Sequence, residues 1–255
     1  MSIANAAHCS MIFKKSGGWM DSYVSDAATH WLDGVHNVNT NEPHNPSATS
    51  WTDIIGGLVF TPRYTNSYAP YFTGGNSMYF RSTSSRSSEI WNNGAKLFEN
   101  TTALTVELVI DARDSTGYGC IARLNKNGDD SVRVNFNRQS SSEYGAITPV
   151  INTSLTPSTI YQNNSAWTYQ NTRYCALTIS SAGVVKFYHN GVNSATFTGV
   201  AGMVASAASV INCNVIGSIY KGYVYRFTTH ARDLSPQEIA KNFNADVARF
   251  NLPTA

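Results

Sequence analysis

The fold is decided near the end of the chain, by the stretch Lys221-Gly-Tyr-Val-Tyr-Arg-Phe-Thr-Thr-His-Ala-Arg-Asp-Leu-Ser-Pro-Gln-Glu-Ile239. In its first half, two sets of large or β-branched side chains alternate, which is the period-two pattern of a pleated strand packed on both faces. The two sets are Val224, Arg226 and Thr228, and Tyr223, Tyr225 and Phe227. The pattern predicts a well-buried strand over residues 222–229.

A helix is predicted directly after this strand. Ser235 offers a hydroxyl to the free amides of the first turn, Pro236 presets the first helical φ, and Glu238 completes a capping box. Apolar residues then recur at helical spacing, so that one stripe can lie against the domain. They are Ile239, Phe243, Val247 and Phe250. We therefore expect the chain to close as a buried strand, a sharp turn and an amphipathic helix.

The other strands follow at the short, regular spacing typical of a sandwich. The clearest covers residues 103–111, with one packed face and an opposite face that is wet or functional. The packed face holds Leu104, Val106, Leu108 and Ile110, and the other holds Glu107 and Asp111. Asn190-Gly191 supplies the two positive φ angles of a tight type I′ hairpin turn. The sequence predicts an all-β, two-sheet antiparallel β-sandwich with a short C-terminal helix.

The chain divides into an arm and one domain. Residues 1–18 end at Gly17-Gly18 and have no strong period, so they are predicted to form an N-terminal arm. Residues 19–255 are predicted to form one sandwich domain, since all-β domains of this length are common. Between Trp31 and Asp53 a long polar loop is expected, because the segment is dense in turn-forming residues.

Several segments resemble concanavalin A-like jelly rolls of the laminin-G-like kind, over about residues 19–252. The closing pattern from Gly222 to Ile239 resembles the end of those domains. Val185-Lys-Phe-Tyr-His-Asn-Gly191 is similar to their penultimate hairpin. Their opening strand and first loop are similar to Trp31-Leu-Asp-Gly34, Ser50-Trp-Thr-Asp53 and Ile55-Gly-Gly57. His230 and Ala231 depart from the family, which more often has Tyr and Asn there. The resemblance implies a jelly-roll sandwich.

Composition excludes several classes of partner. Charged residues make up 13% of the 255 residues, and the formal net charge of +2 is spread without runs. Such a chain has no basic stripe to neutralise phosphates, so nucleic acid is not an expected partner. No segment approaches eighteen uninterrupted apolar residues, so no membrane span is expected. The four cysteines, Cys9, Cys120, Cys175 and Cys213, are widely spaced and are interpreted as reduced core thiols.

Two features of the sequence favour different compartments. The surface chemistry, rich in Asn, Ser and Thr, is typical of an extracellular protein, whereas the first fifteen residues have the reverse of a secretory signal pattern. A phage virion protein satisfies both, because it is made in the host cytosol and released by lysis. The alternative is a secreted domain whose signal has been removed.

Catalysis by paired carboxylates is not expected. The concanavalin A-like fold also hosts glycosidases, which need two carboxylates about 5 to 9.5 Å apart. Glucanases of this fold place their acids as Glu-x-Asp-x-x-Glu, and this chain has no such run. Glu107 and Asp111 would lie about 13 Å apart on one strand face. A solvated or salt-bridged strand face is the preferred interpretation, and the protein is predicted not to be an enzyme.

The resemblance implies a structural calcium ion, since laminin-G-like domains often hold one at their loop ends. Calcium takes six to eight oxygen ligands. Asp33, Asn37 and Asp53 border the long first loop and are the candidate ligands, with Asp129-Asp130 as a second place. Ordinary Asx turns, in which these side chains bind their own backbone, are the alternative. The six histidines show no zinc-ligand spacing, and no cofactor is required.

Sugar recognition needs exposed aromatic faces bordered by polar side chains. Trp91 beside Asn92, and Trp167 with Tyr169 and Asn163, lie in polar runs and are expected at loop tips, with a place in the core as the alternative for both tryptophans. Trp31 and Trp51 are expected in the core. Tyr and Trp are also common at protein interfaces, so the same residues would suit a capsid partner.

The leading hypothesis is a non-catalytic, laminin-G-like sandwich on a phage virion surface, as a head fibre, decoration or adhesin subunit. It would bind a surface glycan or neighbouring virion proteins, and it would form a homo-oligomer. A secreted bacterial carbohydrate-binding module is the second hypothesis, and a polysaccharide-degrading glycosidase is the third.

Overall fold

The computed structural model describes residues 18–83, 86–92, 94, 96–99, 101–111, 120–126, 129–137, 148–152, 159–161, 172–198, 210–212, 215–217 and 220–253. A short 3-10 helix, Trp19–Ser22, comes first, and one α-helix, α1 (Pro236–Phe250), comes last. The described strands are β1 (Ala28–Asp33), β2 (Trp51–Thr52), β3 (Val59–Pro62), β4 (Tyr71–Thr73), β5 (Ser77–Arg81), β6 (Ile90–Trp91), β7 (Lys96–Glu99), β8 (Leu104–Asp111), β9 (Cys120–Lys126), β10 (Asp129–Asn137), β11 (Thr148–Asn152), β12 (Thr159–Tyr161), β13 (Arg173–Ile179), β14 (Val185–His189), β15 (Val192–Phe197), β16 (Val210–Asn212), β17 (Val215–Ile216) and β18 (Lys221–His230).

The described strands form two sheets in which every pairing is antiparallel. The first sheet has the order β15-β14-β13-β8-β18-β5-β4, and β1 also pairs with β18. The second has the order β12-β11-β10-β9-β17-β6-β3-β2, and β16 joins β7 to β9. The prediction of an all-β, two-sheet antiparallel sandwich with a C-terminal helix is confirmed.

Two apolar clusters hold these layers together. The larger lies between the sheets and combines residues of both, among them Trp51, Phe60, Ile90, Leu108 and Phe227. The smaller lies between the outer face of the first sheet and α1, where Tyr174 and Tyr188 meet Ile239 and Phe243. Trp31 and Trp51 are both completely buried, as predicted. The fold is therefore a sandwich with a helix packed on the outside of its first sheet.

The strand β18 departs from the strict alternation that its sequence suggests. Its pairing with β8 shifts by one residue between Val224 and Arg226, which is a β-bulge at Tyr225. Val224 and Phe227 both face the core between the sheets, whereas the predicted pattern put them on opposite faces. A bulge inserts one unpaired residue and so changes which side of the sheet the following side chains face. This shift turns Arg226 toward α1.

The second face of β8 is also different from the prediction. All eight residues of this strand are buried, including Glu107 and Asp111. A wet face was expected because two carboxylates lie there. In the structure α1 lies over this face, and Asn242 of the helix donates hydrogen bonds to both carboxylate oxygens of Glu107. Of the two alternatives, the solvated face is wrong and the salt-bridged face is confirmed, since Glu107 pairs with Arg226 and His230.

Helix α1 begins where the sequence predicts. Ser235 accepts a hydrogen bond from the backbone N–H of Glu238, whose side chain accepts one in return from the N–H of Ser235. Arg232 donates to both oxygens of Glu238, at 2.6 and 2.8 Å. The capping box is thus tied to the turn that follows β18.

The predicted hairpin turn at Asn190-Gly191 is confirmed, with φ angles of 46° and 78°. Its glycine is required for a second reason. A Cβ atom at Gly191 would lie 2.7 Å from Cδ1 of Phe243. The turn between β14 and β15 therefore lets Phe243 of α1 pack closely against it.

Trp19 joins the start of the domain to the end of α1. Its ring stacks on His36 with centroids 4.8 Å apart, and the guanidinium carbon of Arg249 lies 3.9 Å from its centroid. Such cation–π contacts contribute about 0.5 to 2 kcal/mol. The beginning and the end of the described sandwich are therefore in direct contact.

The cysteine prediction is confirmed for Cys175, a buried free thiol whose pKa burial raises far above its usual value. The side chains of Cys9, Cys120 and Cys213 lie outside the described residues, as does the arm up to Gly17. Across the described ranges, no helix combines the length and apolarity that a membrane crossing needs.

Replacing the cap residue tests the energetic role of this helix. Ser235→Ala should lower the free energy of unfolding by about 1 kcal/mol, because an amide of the first turn loses its acceptor. Ser235→Asp is the matched control and should stay near the wild-type value, since aspartate caps as well as serine. Chemical denaturation of the three proteins measures the difference. Equal losses in both variants would contradict a capping role.

Candidate functional site

An exposed tryptophan lies at the end of β6. Trp91 keeps 36% of its surface exposed, whereas its strand neighbour Ile90 is buried between the sheets. Successive side chains of a strand point to opposite faces, which accounts for the contrast. The expected position at a loop tip is wrong, because Trp91 lies in a strand on the outer face of the second sheet.

Arg63 connects Trp91 to a second aromatic ring. Its guanidinium carbon lies 5.7 Å from the ring centroid of Trp91 and 5.6 Å from that of Tyr64. The Nη1 atom of Arg63 is also 3.1 Å from Oε1 of Glu89, which is buried. These contacts keep the guanidinium beside both rings while its side chain stays 45% exposed.

Strand register brings these residues together. Thr61 of β3 lies opposite Trp91, and Pro62 lies opposite Ile90. The amide of Asn92 donates a hydrogen bond of 2.9 Å to the carbonyl of Val59, at the other end of β3. We define the Trp91 cluster as Val59, Arg63, Tyr64, Trp91 and Asn92.

The Trp91 cluster combines three kinds of chemistry. The rings of Trp91 and Tyr64 offer apolar faces, and Tyr64 is 41% exposed. Arg63 has five N–H donors on its guanidinium, of which one on Nη1 binds Glu89. The side-chain oxygen of Asn92 is an acceptor. Such a surface can stack on an apolar ring face and bond the hydroxyls or acidic groups around it.

Sequence reasoning named Trp91 and Asn92 but missed Arg63 and Tyr64. These lie far from Trp91 along the chain, and only the pairing of β3 with β6 brings them close. The one sequence signal was an arginine and a tyrosine directly after a strand-like segment. Trp167, Tyr169 and Asn163, the other predicted sugar-contacting residues, lie outside the described residues.

Asp33 lies at the start of the first loop with both oxygens engaged. They accept hydrogen bonds from the backbone of Val35 and His36 at 2.9 and 3.0 Å, and from the guanidinium of Arg249 at 2.6 and 2.7 Å. Asn37 bonds the backbone of Asn45 in both directions at 2.8 Å. The contacts of Asp33 with Val35 and His36 match the Asx-turn alternative, whereas Asn37 bonds across the loop to a residue eight positions away.

Asp53 closes the same loop. Its Oδ1 accepts hydrogen bonds from the backbone N–H groups of Trp31, Ile55 and Gly56, and Oδ2 lies 2.5 Å from Nδ1 of His30. Burial alone would raise the pKa of Asp53, but these hydrogen bonds and the charge of His30 outweigh it and lower the pKa. A Cβ atom at Gly56 would lie 2.3 Å from His30, so this position needs glycine.

These contacts bear on the calcium hypothesis. Among the described residues, no group of three or more His, Cys, Asp and Glu side chains is arranged to hold a metal ion. Asp33, Asn37 and Asp53 instead fasten the first loop to β1 and α1. Calcium binding at these three residues stays a prediction, and Asp129-Asp130 is described only as backbone of β10.

Glu107, one of the two carboxylates tested above for a catalytic role, is the centre of a buried polar network. Glu107 accepts a hydrogen bond from the hydroxyl of Tyr174, lies 2.7 Å from Nε2 of His230, and is 3.5 Å from Nη1 of Arg226. Burial would raise the pKa of Glu107, but the charges and donors around it outweigh that effect and hold it far below its usual value. Its partners therefore hold Glu107 in the anionic form.

Arg226 links this strand to the helix. Its Nη2 atom lies 2.6 Å from Oδ2 of Asp246, and Nε lies 3.2 Å from Oδ1. Tyr23 donates a further hydrogen bond of 2.7 Å to Asp246. Burial, together with the like charge of Glu107, raises the pKa of Asp246 to about 6 although these partners favour the anion. One guanidinium thus serves two buried carboxylates.

Replacing Glu107 tests this network through pH. At neutral pH, Glu107→Gln should lower the free energy of unfolding by about 3 kcal/mol, because Arg226 loses a buried counter-charge. An acid whose pKa is lower in the folded than in the unfolded protein stabilises the fold at pH values above its unfolded pKa, here 4.5. That contribution is lost as the pH falls toward the folded pKa. The difference between wild type and variant should therefore shrink below about pH 4.5.

Denaturant unfolding between pH 3 and 8 measures this difference. Glu99→Gln is the control, because Glu99 is exposed and pairs only with exposed Lys96 among the described contacts. It should match the wild type within about 0.5 kcal/mol at neutral pH. A Glu107→Gln loss that does not change with pH would contradict the ionised state of Glu107.

Comparisons with known proteins give the fold and no closer relationship. No family model matches the chain, and no curated protein sequence does. Solved structures do match. The Trypanosoma rangeli sialidase in complex with a difluoro-KDN ligand aligns with a TM-score of 0.60 and 12% identity over 85% of this chain and 32% of that chain. The botulinum neurotoxin serotype D ligand-binding domain with N-acetylneuraminic acid aligns at 0.58 and 14%, over 91% and 54%.

This chain therefore spans between about a third and about a half of the length of these structures. At such identities the likeness establishes the β-sandwich fold, in agreement with the sheets described above. The resemblance to laminin-G-like domains in particular, and an origin in a phage, stay predictions.

Proposed function

We propose that this protein is a non-catalytic β-sandwich that binds glycans through the Trp91 cluster. The observation that carries the proposal is the exposed ring of Trp91 beside the guanidinium of Arg63, with Tyr64 and Asn92 at its border. A sugar ring has an apolar face and a polar rim. The cluster offers a matching aromatic face and matching polar groups.

The arrangement is suited to binding because its parts are held in place before a ligand arrives. Glu89 and two rings restrain Arg63, and the carbonyl of Val59 restrains Asn92. Fixed side chains lose little conformational freedom on binding, so more of the contact energy appears as affinity. The solved structures that share the fold include complexes with sialic acid and its analogues, which favours glycan recognition as the general role.

The proposal of a non-catalytic role is supported by burial. Glu107 and Asp111 are at most 1% exposed, so a polysaccharide cannot reach the pair. Glu107 is also occupied by Arg226, His230 and Tyr174. Among the described acids, Glu89 is the one that pairs with the Trp91 cluster, through Arg63, and a single carboxyl lacks the partner that glycoside hydrolysis needs.

For the setting of this activity, we propose a virion surface, with the protein as a homo-oligomeric head fibre, decoration or adhesin subunit. The scarcity of charged residues, 13% of the chain, supports exposure outside the cell. Mass spectrometry of gradient-purified phage particles tests this setting. Recovery from culture supernatant without particles would replace it with the secreted carbohydrate-binding module.

A glycan array tests the binding site. Wild-type protein should bind a subset of glycans, and Trp91→Ala should weaken that binding by at least about tenfold, equivalent to about 1.4 kcal/mol, because the stacking surface is removed. Arg63→Gln should weaken binding as well, since the guanidinium donors are lost.

Val192→Ala is the matched control. Val192 is 58% exposed at the edge of the first sheet, far from the Trp91 cluster, and its loss should leave binding unchanged. Thermal unfolding of all variants shows whether they are folded. Binding that survives in folded Trp91→Ala would overturn the assignment of the site, and an array without signal would overturn glycan binding itself.

A further inference from the structure

A row of tyrosines crosses the outer face of the first sheet. Register places Tyr71 of β4 opposite Tyr79 of β5, and Tyr79 opposite Tyr223 of β18. The ring centroids are 5.7 Å apart in the first pair and 4.7 Å apart in the second. Tyr71 is 44% exposed, and the other two rings are partly exposed. We call these three residues the tyrosine row.

The row lies on the side of the sheet that faces away from the core. Phe72, Met78 and Val224 alternate with the three tyrosines and are buried between the sheets. Helix α1 covers the neighbouring part of this outer face, and Tyr225 marks the border, with its ring 5.5 Å from that of Phe250. The tyrosine row begins where the helix ends.

Positive charge accompanies the row. The guanidinium carbon of Arg81 lies 4.9 Å from the ring centroid of Tyr71, and its Nε donates a hydrogen bond of 2.9 Å to the carbonyl of Ala69. Lys221 lies opposite Arg81 in the register of β5 and β18. The carboxyl group of Asp111 lies next in line after Tyr223 but is buried. The partly exposed charges of the described residues on this part of the face are therefore cationic.

We propose that the tyrosine row, with Arg81 and Lys221, is a second binding surface, whose ligand is an acidic polysaccharide chain lying across the strands. Adjacent strands are about 4.8 Å apart, so the row offers a chain one aromatic contact per strand. Arginine forms paired hydrogen bonds with carboxylate or sulfate groups, and lysine adds a point charge. The inference does not depend on the Trp91 cluster.

The size of the surface favours a thin chain over a protein. A stable protein interface buries about 800 Å² on each partner. Even a fully buried aromatic residue contributes only about 150 to 250 Å², and Tyr79 and Tyr223 are already partly covered by their neighbours. The exposed part of three tyrosines is well below that requirement, whereas an extended polymer one sugar wide can use all of it.

The two surfaces face opposite directions. Trp91 lies on the outer face of the second sheet, and the tyrosine row lies on the outer face of the first, with the core between them. One domain can therefore hold two separate glycan chains. Because the two sites face apart, they would bridge two glycan chains on either side of the domain and would not bind one flat surface together.

Affinity electrophoresis in gels with polygalacturonate, dextran sulfate or neutral dextran tests the proposal. We expect polygalacturonate, dextran sulfate or both to retard the wild-type protein, with less retardation as salt rises, and dextran to have no effect. The polymer that retards the protein shows whether the acidic group is a carboxylate or a sulfate. Tyr71→Ala and Arg81→Gln should each raise the dissociation constant obtained from the retardation about tenfold.

A charge control and a comparison with the first site complete the design. Lys96→Gln removes a cation that is 55% exposed on β7 and should behave like the wild type. Trp91→Ala measures any share of the retardation that comes from the first site. Equal weakening by Lys96→Gln, or loss only in Trp91→Ala, would overturn the proposal, as would the absence of retardation in both acidic gels. Light scattering completes the test, because a lower oligomeric mass in Tyr71→Ala would assign the row to a protein interface instead.

Discussion

The structure depends on one buried guanidinium. Arg226 lies between Glu107 on the central strand β8 and Asp246 on α1, and all three side chains are removed from solvent. A buried ion costs several kcal/mol unless it is paired and hydrogen-bonded. The pairing of Arg226 with both carboxylates therefore ties α1 to β8 and β18, and the apolar cluster between the sheet and the helix surrounds this network.

The position of the helix divides the outer face of the first sheet. Beneath α1 the strands carry buried polar groups and aromatic residues such as Tyr174, and they have no access to ligands. Beyond it the same sheet presents the tyrosine row. The second sheet has no described helix on its outer face. There Val59 and Trp91 of the Trp91 cluster lie in β3 and β6, and Arg63, Tyr64 and Asn92 follow directly after these strands. The tyrosine row lies within strands, and α1 sets its limit.

Local signals in the sequence were reliable, and long-range pairing was not visible. Ser235, Pro236 and Glu238 specify the helix start, and Asn190-Gly191 specifies its turn, because each acts within a few residues. The bulge at Tyr225 has no local signature, so the face of Arg226 was misassigned. Burial of Glu107 depends on a helix more than a hundred residues away in sequence. The partners of Trp91 likewise required the register of β3 with β6.

The stack of His36, Trp19 and Arg249 has a mechanical consequence. A pull applied to the chain on both sides of the sandwich would enter through Trp19 and leave near Arg249, which already touch. The load would reach this stack, and the ion pair of Arg249 with Asp33, before it reached the ladder of backbone hydrogen bonds between β1 and β18. A domain tethered by these two points would therefore give way first where Trp19 and α1 meet, and only afterwards in its sheets.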